Sequence, residues 1–179
     1  VIANLLYCCS PRADKPFVRI DLGTIPEQLF ESELFGHERG AFTDAKAEKQ
    51  GRFEIASGGT LFLDEIANLS LPMQAKLLTA IEKQEIIRLG ATMPRSIDVR
   101  LICATNANIH EMVGEGEFRQ DLLYRINTIE LHIPPLRERG KDIVLLAEHF
   151  LERYTKKYKK EIHNISSSAL KKLQEYSWP

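Results

Sequence analysis

Two adjacent carboxylates, Asp64 and Glu65, stand at the end of an unbroken apolar run within GGTLFLDEIA, residues 58–67. A carboxylate at the end of a buried strand can hold a magnesium ion or its waters, and its neighbour can orient an attacking water, the division of labour that phosphoryl transfer needs. Asp64 suits the first task and Glu65 the second. The usual companion of such a pair is a phosphate-binding loop, G-x-x-x-x-G-K-[ST]. The one Gly-Lys step, Gly140-Lys141, has Pro135 where the first glycine should stand and Asp142 in place of the hydroxyl. Half of a nucleotide site is therefore written in these residues.

The elements that would position the pair follow from the spacing of apolar residues. Phe17–Asp21 alternates as a short strand, Thr60–Asp64 is apolar on both faces like a covered parallel strand, and Asp98–Ala104 reads as a further buried strand ending at Thr105-Asn106. Between them lie helices carrying Leu29, Phe30, Leu34 and Phe35, then Met73, Leu77, Leu78 and Ile81 after a Ser70/Pro72 start, then Leu122 and Leu123 after Phe118. Ile129–Ile133 is a last strand candidate, halted by Pro134-Pro135. This alternation predicts an α/β fold with a mostly parallel sheet. In such sheets ligands gather at the carboxyl ends of the strands, so Asp21, Asp64-Glu65 and Thr105-Asn106 are expected to converge on one crevice.

Beyond Gly140 the pattern changes. Ile143, Leu146, Ala147, Phe150, Leu151, Tyr154 and Tyr158 keep helical spacing, and Ser166-Ser167-Ser168 can cap a second helix holding Leu170 and Leu173. The expected organisation is an α/β core over 1–139 and a partial helical subdomain over 140–179. At the other end, Val1–Leu6 opens without methionine and already in helical spacing, as though cut inside an element.

Composition narrows the class. The 179 residues, 44% hydrophobic and 27% charged, suffice for one sizeable core. Lys+Arg 24 against Asp+Glu 25 leaves a net charge of -1, so no basic field recruits nucleic acid or an anionic membrane, and any DNA contact is expected in a separate domain. No apolar run approaches the roughly 20 residues that span a bilayer, and a cytoplasmic protein is the simplest expectation. Cys8, Cys9 and Cys103 form no C-x-x-C pattern, and the five histidines show no ligand spacing.

Some residues are ambiguous on spacing alone. Gly40-Ala41-Phe42-Thr43-Asp44-Ala45 sets an aromatic among small residues with no period, and a Phe packed beneath a turn is the favoured reading over one exposed for function. Arg119 and Arg125, taken singly, read as surface ion pairs, and Lys156, Lys157, Lys159 and Lys160 as a solvated helix face.

In order along the chain stand ESELFGH (31–37), GAFTDA (40–45), GGTLFLDE (58–65), FRQDLLYR (118–125) and PLRERG (135–140). Together they closely resemble the AAA+ domain of sigma-54-dependent transcription activators, the bacterial enhancer-binding proteins. The resemblance covers essentially the whole chain. It implies a three-layer P-loop NTPase-type fold with a helical lid, and a ring-forming ATPase, a hexamer or heptamer, that uses ATP and magnesium to remodel the closed complex of sigma-54 RNA polymerase. By the same resemblance Asp64 and Glu65 are the Walker B pair, Asp64 meeting the metal through the nucleotide. Asp21, Thr105 and Asn106 sense the nucleotide, and Arg119 and Arg125 reach a neighbouring subunit's site. Gly40 to Ala45 form the sigma-contact loop, with Phe42 and Thr43 at its tip, so that Phe42 would be exposed on purpose.

The sequence departs from that pattern at several points. The phosphate loop is expected immediately upstream of Val1 and the second-sensor arginine beyond Pro179, so these residues alone are expected neither to hold ATP tightly nor to hydrolyse it. The contact loop has Asp44 where the family usually has glycine, and Asp21 stands where it commonly has asparagine. Two alternatives accompany the enzyme reading: a nucleotide-free module that binds subunits or sigma-54, and an AAA+ remodeller with another client.

Overall fold

A computed structural model describes residues 1–178. In chain order its elements are α1 (Ile2–Cys8), β1 (Phe17–Asp21), α2 (Glu27–Phe35), β2 (Gly36–His37), β3 (Lys49–Gln50), α3 (Arg52–Ile55), β4 (Thr60–Asp64), α4 (Leu71–Lys83), β5 (Glu85–Ile86), β6 (Arg95–Ser96), β7 (Arg100–Cys103), α5 (Ile109–Glu115), α6 (Gln120–Ile126), α7 (Gly140–Tyr158) and α8 (Ser167–Glu175). They form two compact units, one through Thr128 and one from Ile129 onward.

The first unit is an α/β layer structure around a parallel sheet of order β1-β4-β7. β4 lies in the middle, and its run of apolar side chains finds cover on both faces: Leu61 and Leu63 are fully buried in the core. There they meet Ile20, Leu22, Phe30, Leu34, Met73 and Leu77, the inward residues of β1 and the turn after it, of α2 and of α4. On the opposite face Phe62 stacks with Phe17, which in turn packs against Tyr7 of α1. α4 starts at Ser70 with Pro72 in its first turn and stops where Gln84 takes a left-handed conformation, φ 52°. Two small antiparallel pairs, β2-β3 and β5-β6, close the necks of the loops 38–48 and 87–94.

Two sequence expectations change. The run Ile129–Ile133 is no strand: it belongs to none of the sheets among the described residues, and Ile129 is 81% exposed. Alternation supplies an extended backbone, but a strand also needs a neighbour's amides and carbonyls, and Pro134-Pro135 withhold two donors. The strand read as buried over Asp98–Ala104 is confined to Arg100–Cys103 and is half-buried, because β7 is the edge of the described sheet.

The second unit pairs α7 with α8. Ser166 caps α8, its Oγ accepting from the Ala169 amide at 3.3 Å, and Trp178 Nε1 donates to the Leu173 carbonyl at 2.8 Å beyond the last turn. Phe150, Tyr154 and Tyr158 stack along one face of α7 at centroid separations of 6.1 and 6.0 Å. The compact unit thus takes in the extended run and the short 3-10 turn Leu136–Glu138 before the helix that begins at Gly140.

Candidate functional site: the strand ends and the loop neck

Parallel register places Asp21 beside Asp64 at the carboxyl ends of β1 and β4. The next turn of chain is sewn across the gap: the Leu22 amide donates to the Asp64 carbonyl at 3.0 Å, the Ala104 amide to Leu63 at 2.9 Å, and the Ile66 amide to Ala104 at 3.0 Å. Glu65 between them is left-handed, φ 58° and ψ 49°. A non-glycine residue there costs about 1–2 kcal/mol, and such outliers collect at functional sites. Its Oε2 accepts from the Asn106 amide at 3.4 Å, while Thr105 Oγ1 accepts from the Ala107 amide at 3.1 Å. Gly23 fits because a Cβ would stand 3.3 Å from Asp21 Oδ1 and 3.6 Å from Glu65 Cγ. The sequence-predicted group Asp21, Asp64, Glu65, Thr105 and Asn106 is therefore gathered at one end of the sheet.

Arg19 was not foreseen. Its Nη2 donates to Asp64 Oδ2 at 2.6 Å, and its guanidinium carbon lies 5.6 Å from the Phe62 ring centre. The signal was available, since alternation puts residues 17, 19 and 21 on one face of β1. Among the described residues no group of three or more His, Cys, Asp or Glu side chains could hold a metal by itself. One strand-end carboxylate, Asp64, is nonetheless the kind of donor magnesium uses when waters and substrate phosphates fill the rest of its octahedron.

Arg119 and Arg125 lie elsewhere. Arg119 is the N-cap residue of α6, and its guanidinium forks onto Asp121 with Nε–Oδ1 3.0 Å and Nη2–Oδ2 2.6 Å. That pairing raises the Arg119 pKa and lowers the Asp121 carboxyl, each chiefly through the hydrogen bond to the other. Beneath it Gln74, fully buried, accepts from the Arg119 amide at 2.8 Å and donates to the carbonyls of Leu69 and Glu117 at 2.7 and 3.0 Å. Arg125 Nη2 reaches the Ile81 carbonyl at 3.5 Å. The contacts of both arginines thus run to α4 and α6 rather than to Asp64 and Glu65.

The segment Gly40–Ala45 is the tip of the loop between β2 and β3. Gly40, φ 82°, donates to Ala45 at 2.8 Å and the Ala45 amide to Phe42 at 2.9 Å, which folds the tip into a tight turn. Asp44 is not among the residues with positive φ, so the carboxylate there carries no left-handed strain. Phe42 is 40% exposed, neither buried beneath the turn nor fully free.

The neck below the tip is held by charges that no sequence spacing announced. The Arg88 side chain, 2% exposed, clasps Glu54 with Nε–Oε1 2.7 Å and Nη2–Oε2 2.8 Å, and its Nη1 reaches Glu38 at 3.1 Å and Glu48 at 3.2 Å. Arg95 adds contacts to Glu38 at 3.1 Å and Glu54 at 3.4 Å. Burial works against the Glu54 charge, but the Arg88 hydrogen bonds and charge prevail and leave its pKa below the ordinary value. Backbone bonds from Glu38 to Leu89 and from Leu89 to Gly36, 2.9 and 3.0 Å, bind the loop 38–48 to the loop 87–94. The two loops touch where a Cβ on Gly90 would meet the Ala41 Cβ at 2.9 Å.

A parallel α/β layer followed in the chain by a helical unit is an architecture of the AAA+ type. The chain belongs to the sigma-54 interaction domain family, whose model matches residues 1–132, and an AAA+ ATPase lid domain model matches residues 137–179. Among its relatives is the Nif-specific regulatory protein of Azospirillum brasilense, 50% identical over all of this chain and 28% of that protein. The transcriptional regulatory protein ZraR of Salmonella typhimurium is 47% identical, again over the whole chain and 41% of the relative. The chain thus spans well under half the length of these relatives. Among solved structures, NtrX from Brucella abortus superposes with TM-score 0.91 at 35% identity, over 99% of this chain and 40% of that one. NtrX structures in complex with ADP and with ATP match similarly, at TM-scores of 0.88 and 0.89.

Proposed function

We propose that this chain is the central part of an ATP-hydrolysing activator that remodels the sigma-54 RNA polymerase closed complex in the bacterial cytoplasm. The observation that carries the reading is the convergence of Asp21, Asp64, Glu65 and Asn106 at the ends of parallel strands. In the proposed mechanism Asp64 binds magnesium together with the nucleotide, and the metal when bound neutralises charge on the phosphoryl oxygens. Glu65, turned by its left-handed backbone, orients the attacking water. Asp21, Thr105 and Asn106 report the state of the nucleotide, and an ionised Asp21 can only accept hydrogen bonds in doing so. Arg119 and Arg125 serve the nucleotide of an adjacent subunit in a ring, and their exposure on α6 is compatible with that role. The loop Gly40–Ala45 contacts sigma-54, and DNA is held by a separate domain.

The likeness to NtrX, a protein seen with ATP and with ADP, supports the nucleotide part of the proposal. The loop part is tested by Phe42→Ala in the intact protein. Promoter opening is expected to be lost while ATP hydrolysis stays within about twofold, as for an interaction made outside the chemical step; loss of both would assign Phe42 to folding instead. A second reading rests on the sequence of residues 1–179, which contains no phosphate-binding loop. Without that cradle of amides and its lysine, these residues alone bind ATP weakly and serve as a subunit- or sigma-contact module. Calorimetric titration of this segment with ATP and magnesium separates the two, micromolar binding excluding the second.

A further inference from the structure

The Phe42 ring meets His37 edge to face, with centroids 5.0 Å apart and planes at 67°. His37 is itself fixed from both sides. A carbonyl oxygen only accepts, so His37 Nε2, 3.1 Å from the Ala47 oxygen, is the donor there, and Nδ1 is hydrogen-bonded to Ser32 Oγ at 2.7 Å. Ser32 is buried on α2 and Ala47 lies on the returning limb of the loop, so the imidazole links these two segments with the Phe42 ring beside it. An aromatic pair of this geometry shifts a loop population roughly two- to tenfold. That is enough to bias a loop and too little to lock it.

We propose that His37 is the seat of Phe42, a positioning residue that holds the loop tip against the body of the domain until the ring is released to engage its partner. The inference rests on the reading of Gly40–Ala45 as the sigma-54 contact. It adds that affinity for sigma-54 is set by how often Phe42 leaves the imidazole. The polar links of His37 orient the ring; the ring makes the contact that must break.

The test is hydrogen–deuterium exchange of the intact, nucleotide-free protein, read on the peptide carrying the bonded amides of Gly40, Ala41, Ala45 and Lys46. His37→Gln keeps a side-chain donor for Ala47 and removes the ring. It is expected to speed exchange in this loop about fivefold, to leave the Thr60–Asp64 peptide unchanged, and to raise affinity for sigma-54 by a similar factor. Ser32→Ala, which frees the ring without removing it, gives a smaller change in the same direction and keeps the test open if the first variant does not fold. Unchanged loop exchange in both variants overturns the proposal, as does acceleration spread equally to β4. Faster loop exchange with unaltered sigma-54 affinity leaves His37 as the seat and instead overturns the assignment of the loop to sigma-54.

Discussion

The strand ends and the loop neck solve the placement of charge in opposite ways. At the strand ends the backbone does the placing: the register of β1 and β4 fixes Asp21 beside Asp64, and crossing amides fix Glu65 and Asn106. At the neck side chains take a large part, because Glu38, Glu48 and Glu54 come from separate segments and meet on Arg88, with Arg95 bridging Glu38 and Glu54 a second time. Groups placed by a sheet are fixed by its register and its backbone hydrogen bonds. A neck held by ion pairs can be re-formed in another arrangement, which suits the loop role proposed above.

The largest effect belongs to the strand ends. Asp64→Ala in the intact protein is expected to reduce ATP hydrolysis by about 10³-fold with the fold retained, since it removes the carboxylate proposed to hold the metal; steady-state turnover with circular dichroism reads both. Arg88→Met should lower unfolding stability by about 3 kcal/mol, because it leaves the enclosed Glu54 carboxylate with only the longer contacts to Arg95 and the Gly51 amide. Urea titration measures this, and a cost confined to a few tenths would place the neck on the same backbone footing as the strand ends.

A pH series sharpens the contrast further. Glu54 is lowered despite its burial by Arg88, and Glu33 is lowered chiefly by its hydrogen bond to Lys49. A depressed folded-state pKa gives stability that is present above the unfolded value, about 4.5, and lost as pH falls through the lower folded value. Urea midpoints should therefore fall below pH 4.5, and more shallowly in Arg88→Met. The smallest change is expected from Arg19→Met: the Arg19 side chain is 59% exposed, so its pair with Asp64 contributes at most about 1 kcal/mol. Removing it should leave stability nearly unaltered and lower the magnesium needed for half-maximal hydrolysis by about twofold.

The same contrast explains what was legible in the sequence. Apolar periodicity found β1 and β4 with their bounds, and the strand-end rule then gathered Asp21, Asp64, Glu65, Thr105 and Asn106 without coordinates. It failed at Ile129–Ile133, because a strand is a property of a pair of segments and periodicity describes one. The Arg88 cluster was invisible for a related reason: its partners are 34 to 50 positions away, and a single charged residue, even between Ile87 and Leu89, does not announce them. Phe42 fell between two expectations, since its half-cover comes from His37, whose burial depends on Ser32 and Ala47 on different segments.

Glu65→Gln in the intact protein tests the central claim most directly, with ATP binding and ATP hydrolysis measured on the same preparation. The account predicts nucleotide affinity within about threefold of the parent and hydrolysis reduced by about 10²- to 10³-fold, the loss expected when a group that acts on the water is neutralised. Hydrolysis retained at the parent rate would contradict it, because the strand-end carboxylates would then be structural and the chemistry would lie elsewhere.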